Sequence, residues 1–123
     1  MNENKYLYER VKGHIGEENW ENTPIPLIIK DNLNPKFKLR PYQKEAFRYF
    51  INYWEKEFKE KPNQHQLLFL MATGSGKTLM MAGLILYLYQ QGYRNFLFFV
   101  NSTTIIDKTR DNFLNDASTR YWL

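Results

Sequence analysis

The sequence contains no cysteine, so neither a disulfide framework nor a thiolate metal site is open to it. Histidine is scarce as well. His14 and His65 stand far apart and read as surface or loop residues rather than as a metal pair. Acidic residues are missing from 62 to 106, a stretch that holds Lys77 and Arg94. Such a stretch would suit a bound phosphate, and it would equally suit a buried core, where charges are few. The longest apolar run, Leu79 to Tyr89, falls short of the about 18–20 residues that a membrane-spanning helix needs. The first residues, MNENKYLYERVKG, mix both charges and lack the apolar segment of a signal peptide. A cytoplasmic protein without a membrane segment is therefore expected. There is no internal repeat and no low-complexity tract.

The 123 residues are rich in Phe and Tyr and carry a modest net charge of +4, a composition that can build a core within at most one domain. Residues 1–23 are polar and weakly patterned. Tyr6, Leu7 and Val11 suit one side of a short helix that Gly13 and Gly16 would end. Residues 24–38 hold three prolines and an apolar patch at Leu27–Ile29, which reads as an ordered linker or a short extended piece. The expected organisation is an extension or linker over 1–38 and an incomplete ATP-binding domain over 39–123.

The clearest helix is expected over 41–60. Pro41 suits the first helical position, where its missing N–H costs nothing. Tyr42, Ala46, Phe47, Phe50, Ile51, Trp54 and Phe58 then recur at helical spacing. Lys44, Arg48, Asn52, Glu55 and Lys59 fall on the opposite, solvent side, with Glu55 and Lys59 ordered for an ion pair one turn apart. Pro62 would end the helix. Leu67–Leu70 and Phe96–Val100 are short apolar runs, expected as strands buried on both faces. Between them Lys77–Gln91 reads as a helix that is apolar nearly all round, closed by Gly92. A third helix would start near Ser102–Thr104 and run to about Leu114, turning Ile105, Ile106, Phe113 and Leu114 inward. Strand, helix, strand, helix predicts an α/β fold with parallel strands.

The segment with chemical content is Met71-Ala-Thr-Gly-Ser-Gly-Lys-Thr78. It follows an expected strand and opens an expected helix, the setting that a phosphate-binding loop requires. Gly74 and Gly76 allow a backbone curl in which successive N–H groups face one anion. The positive end of the following helix favours the same anion. Thr73, Ser75 and the two glycines would line the loop, Lys77 would stabilise the β- and γ-phosphate charge, and the Thr78 hydroxyl would ligate Mg²⁺. The strict pattern G-x-x-x-x-G-K-[ST] fails at its first glycine, where Met71 stands. A turn that merely joins strand to helix is the alternative.

With LRPYQKEAF at 39–47 and FLFFVNSTTIIDKTRDNF at 96–113, this loop makes the chain resemble the N-terminal part of a superfamily 2 helicase-like ATPase. More narrowly, it is similar to the restriction (Res) subunit of type III restriction-modification enzymes. The resemblance implies a partial RecA-like P-loop NTPase domain, truncated after the second core strand and its helix. It implies ATP and Mg²⁺ as ligands, double-stranded DNA as track, and a methyltransferase (Mod) subunit as partner. Gln43 would meet the adenine edge, with Arg40 or Phe37 against the ring; a plain solvated residue in a first helical turn is the other reading. Ser102 and Thr103 would touch a DNA phosphate, or serve only as helix-start residues. Asn101 stands where the family often has proline.

The family's acidic Asp-Glu-x-His segment is not found; after the loop the only acids are Asp107, Asp111 and Asp116. The chain is thus expected to be a fragment with no turnover of its own, its end at Tyr121–Leu123 suggesting another strand. Two further readings stay open: an inert or weakly nucleotide-binding remnant, and an unrelated P-loop enzyme such as a small kinase.

Overall fold

A computed structural model describes residues 6–34, 36–58 and 61–114. In order, the elements are α1 (Leu7–Ile15), α2 (Glu17–Glu21), α3 (Leu27–Asn32), α4 (Pro41–Glu55), α5 (Lys77–Gln90) and α6 (Thr103–Leu114). The chain divides into two units. One joins residues up to Ile25 with Arg40–Met71; the other joins Pro26–Leu39 with the residues from Ala72 onward.

The expected parallel-strand α/β fold is overturned. Among the described residues every element is a helix, and none lies in a strand. Residues 67–70 and 96–100 have no regular secondary structure and, among the described residues, no backbone hydrogen bonds. Nor are they buried on both faces: Leu68, Leu70, Leu97 and Phe99 are each more than four-fifths exposed. An apolar run marks a strand only if neighbouring strands take its N–H and C=O groups and other layers cover its faces.

In the first unit α1, α2 and α4 pack around Val11, Trp20, Phe47, Phe50, Ile51 and Tyr53, all buried. Gly13 lies inside α1 rather than ending it; the helix stops at Gly16, whose φ of 82° places it in the left-handed region that glycine tolerates. Both α1 and α4 begin with the same device. The N–H of Tyr6 donates to Glu9 Oε2 and the N–H of Arg40 to Gln43 Oε1, each at 2.9 Å, three residues into the helix.

Helix α4 starts at Pro41 as expected but ends at Glu55. Lys61 folds back over that end. Its ammonium donates to the carbonyls of Trp54 and Lys56 and lies over the Tyr53 ring. A cation here meets the negative end of the helix dipole. The polar face of α4 also departs from its helical wheel. Asn52 is buried, its Nδ2 donating to Thr23 Oγ1 and to the Arg48 carbonyl. Arg48 Nε donates to the Thr23 carbonyl at 3.0 Å. The α2–α3 connection therefore takes two side chains that the sequence pattern assigned to solvent. The Glu55–Lys59 pair and the Tyr121–Leu123 end lie outside the described residues.

In the second unit α3 packs on α5, with Ile29 and Leu33 buried on one and Leu79, Met80, Ala82 and Tyr87 on the other. The stretch Leu27–Asn32 is thus helical, not extended, and Leu27, part of the expected apolar patch, is exposed. The C-terminus of α5 closes as a Schellman motif: the Tyr93 N–H donates to the Leu88 carbonyl and the Gly92 N–H to that of Tyr89. Gly92, at φ 110°, supplies the left-handed turn. In α6 the expected inward residues Ile105 and Ile106 are each 43% exposed, and Thr109 is buried instead.

Candidate functional site: the glycine-rich loop at the start of α5

Residues 71–76 leave an extended stretch and turn into α5. The Ser75 N–H donates to the Ala72 carbonyl at 3.1 Å, which closes the turn. Gly74 has φ 79°, and Gly76, the N-cap, has φ 87° and ψ 35°. Nothing lies within 4 Å of where a Gly74 Cβ would sit. Its glycine is therefore required by backbone conformation, not by crowding.

The first bond of α5 runs from the Met80 N–H to the Gly76 carbonyl at 3.0 Å. The N–H groups of 76–79 precede it, and among the described residues none of them has a hydrogen-bond acceptor. They are the orphan donors of a helix start, four in an ordinary α-helix, and they lie where the helix dipole is positive. Lys77 is exposed and Thr78 half-buried at this end. Thr73 and Gly74 are exposed, Ser75 and Gly76 half-buried. The turn thus gathers Thr73, Gly74, Ser75, Gly76, Lys77 and Thr78 into one short donor-rich arc with no carboxylate from 62 to 106.

That donor set fits a polyphosphate. It offers backbone N–H groups, one ammonium and hydroxyls, and no competing acid. For Mg²⁺ it offers neutral hydroxyls, Thr78 among them, and no cluster of three or more His, Cys, Asp or Glu able to hold a metal exists among the described residues. A magnesium ion at this loop would take its other oxygens from phosphate and water, as that ion commonly does.

Arg40 and Gln43 belong to the first unit, at the start of α4; Phe37 belongs to the second. Gln43 is not a solvated residue. It is 3% exposed, and its Oε1 already accepts the Arg40 N–H. Arg40 Nη1 donates to the Tyr42 hydroxyl at 3.2 Å. Ser102 and Thr103 lie where α6 begins, the Ile106 N–H donating to the Ser102 carbonyl.

A cavity of about 570 Å³ in the first unit had no signature in the sequence. Its lining includes His14, Asn19, Thr23, Asn52, Glu55 and Lys56, residues at the C-terminal ends of α1, α2 and α4. The carbonyls there are met by the chain's own donors: Gly16 N–H, Thr23 Oγ1, Lys56 N–H and the Lys61 ammonium. The cavity is charge-mixed and singles out no ligand.

Burial lifts two tyrosines of this unit. The Tyr49 hydroxyl is pushed up to about 12 by desolvation and then by Glu45, with which it shares a hydrogen bond. Tyr53 is raised by burial alone.

Comparison with known proteins gives one family and one relative. Residues 36–121 match the family model described as "Type III restriction enzyme, res subunit". The chain is 42% identical over 102 residues to the "Probable type III restriction-modification enzyme HindVIP Res subunit" of Haemophilus influenzae (strain ATCC 51907 / DSM 11121 / KW20 / Rd). The match covers 79% of this chain and 20% of that protein, so the chain spans about a fifth of its relative's length. No solved structure matches. No helix among the described residues is long and apolar enough to cross a membrane.

Proposed function

Because the chain belongs to the type III restriction enzyme Res subunit family, we propose that it is the nucleotide-binding N-terminal segment of an ATP-dependent DNA translocase that serves restriction. The observation that supports this reading is the start of α5, where, among the described residues, the N–H groups of 76–79 have no acceptor, Lys77 is the first helical residue, and Gly74 and Gly76 hold the left-handed turn. Residues 39–123 would form the first part of the ATP-binding domain.

The roles follow from the donor set. The N–H groups of 76–79 hold phosphate oxygens, and the Lys77 ammonium, a point charge on a flexible stem, meets the β- and γ-phosphates. The Thr78 hydroxyl gives one oxygen to Mg²⁺. A bound ATP–Mg²⁺ supplies the phosphoanhydride whose cleavage would drive movement in the full-length protein. Gln43 would meet an adenine edge with its amide, whose Oε1 also accepts the Arg40 N–H. Ser102 and Thr103 would hold a phosphate of double-stranded DNA through hydroxyl and helix-start N–H groups. A methyltransferase (Mod) subunit would be the partner, in the cytoplasm. The sequence carries no Asp-Glu-x-His segment, so the proposal for this chain is binding and not turnover.

Isothermal titration with ATP and Mg²⁺ tests the reading on wild type and on Lys77→Ala. Wild type should bind, and the variant should lose at least tenfold in affinity, about 1.4 kcal/mol, as expected for one charge-assisted contact. Equal affinities would remove Lys77 from the site. No binding by wild type would leave the loop as a strand-free turn and nothing more.

A further inference from the structure

The connection that follows α4 is held back against that helix by a cluster of rings. Tyr53 is 2% exposed, and its hydroxyl has one hydrogen-bond partner among the described residues, His65 Nδ1 at 2.9 Å. The His65 ring stands edge-on to Tyr53, with centroids 5.5 Å apart, and lies 5.0 Å from the Trp54 ring. His65 itself is exposed, so protons reach it from solvent. Burial raises Tyr53, which keeps its hydroxyl a donor wherever imidazole titrates. The His65 Nδ1 is then the acceptor, with the ring hydrogen on Nε2. A cation already occupies this corner. The Lys61 ammonium lies over the Tyr53 ring at 5.5 Å, fixed by the Trp54 and Lys56 carbonyls. The Glu57 carboxylate, 3.9 Å from that ammonium, is 92% exposed and offsets it little. From α1, His14 touches Phe58, which in turn packs on Tyr53.

We infer that Tyr53 and His65 form a proton-operated clasp, closed while the imidazole is neutral and released when it is protonated, which frees residues 62–66 from α4. An imidazolium has no lone pair left on Nδ1. It can only donate to the Tyr53 oxygen, and the buried Tyr53 O–H then has no acceptor among the described residues. Protonation also brings a second positive charge to the ring that Lys61 covers. The Trp54 face attracts an imidazolium, but a cation–π contact at an exposed site gains less than a stranded buried donor costs. Acidification through the imidazole range, about pH 8 to 5, therefore opens the clasp. Lys61 stays in place, because its bonds to the end of α4 do not titrate there, and it becomes the hinge of the released segment.

Proton NMR on the 123-residue chain tests this. Cross-peaks between the His65 and Trp54 rings should fall to less than about a third from pH 8 to pH 5, the imidazole range, while far-UV circular dichroism stays constant. Tyr53→Phe keeps the ring and removes the donor, so the same cross-peaks should fall by less than about half as much as in wild type. His65→Gln places an acceptor without a titrating charge beside Tyr53, and the contact of position 65 with Trp54 should no longer depend on pH. His14→Gln removes the other histidine and should leave the wild-type fall intact. Constant wild-type cross-peaks overturn the inference. So does an equal fall in Tyr53→Phe, which would take the hydroxyl out of the switch. A fall in step with the helix signal overturns it as well, since that is acid unfolding of the whole unit.

Discussion

Helix α4 and the segment Phe96–Val100 reverse the usual rule in opposite directions. On α4, Gln43 and Asn52 are buried polar side chains, 3% and 4% exposed. In the segment, Leu97 and Phe99 are apolar and 84% exposed. The difference lies in where the backbone bonds go. Most backbone groups of α4 are met within the helix, and at its ends Gln43 accepts the Arg40 N–H while Lys61 donates to the Trp54 and Lys56 carbonyls. Its side chains are then free to serve tertiary contacts, including a polar one through Asn52 to Thr23. An extended segment meets none of its own backbone groups, so its apolar side chains gain cover only when another strand arrives. A helix can be complete in itself; a strand cannot.

The largest expected effect sets the two regions directly against each other. Phe47→Ala on α4 removes a ring with 0% exposure and should cost about 3–5 kcal/mol in urea unfolding. Phe99→Ala, at low protein concentration, should cost under about 0.5 kcal/mol. Similar losses at both positions would show that Phe99 is covered in solution and would end the contrast.

A smaller effect sharpens the polar half of the comparison. Asn52→Ala strips the donor from Thr23 Oγ1 and the Arg48 carbonyl and should cost about 1–3 kcal/mol. Lys44→Ala, on the exposed side of the same helix, should stay within about 0.5 kcal/mol. A double-mutant cycle of Asn52→Ala with Thr23→Val should give a coupling energy of at least about 0.5 kcal/mol. Strict additivity would mean that the bond contributes nothing and that Asn52 is merely packed.

The smallest effect is on pH. Tyr49 is held near pKa 12 in the fold against 10 for a free tyrosine, by burial first and Glu45 second. A raised folded value means that the folded state keeps its proton longer. This contribution to stability is complete below pH 10 and is lost as pH rises from 10 through about 12. Tyr49 is only half-buried, so solvent screens the effect. Thermal melts between pH 9 and pH 12 should fall less steeply for Tyr49→Phe than for wild type, within roughly one pH decade of the free value. Parallel curves would assign the loss to other groups.

How much was legible from sequence follows the same division. Pro41 and the three-and-four spacing of Phe47, Phe50 and Ile51 placed the start and the inward face of α4, while the expected end at 60 overran the observed end at Glu55 by more than a turn. The glycine-rich loop was legible to the residue: Gly74 and Gly76 carry the two left-handed conformations, and Lys77 opens the helix. Gly92 was read as the close of α5 and does close it. These are local matters, decided by φ, by a missing N–H or by the side-chain period of one helix. Helix α2 and helix α3 escaped because five or six residues are too few to show a period. Lys61 escaped because its role depends on a chain reversal after α4. The capping role of Gln43 was within reach, since an amide three residues past a helix start is a known signal, but the two readings offered for it were a contact to a base and a solvated residue, and it is neither solvated nor free of the helix start.

What the sequence by itself determined is the family, the glycine-rich turn and the helices that begin at Pro41 and Lys77. Each rests on residues close along the chain, whose steric and hydrogen-bonding preferences act without a partner. Only the tertiary structure decided that Asn52 and Arg48 reach inward to Thr23, that Ile105 and Ile106 stand half in solvent, and that Leu67–Leu70 and Phe96–Val100 find no strand partner among the described residues. The physical reason is that burial and strand pairing are properties of two surfaces. A single stretch of sequence carries one of those surfaces and says nothing about whether the other is present.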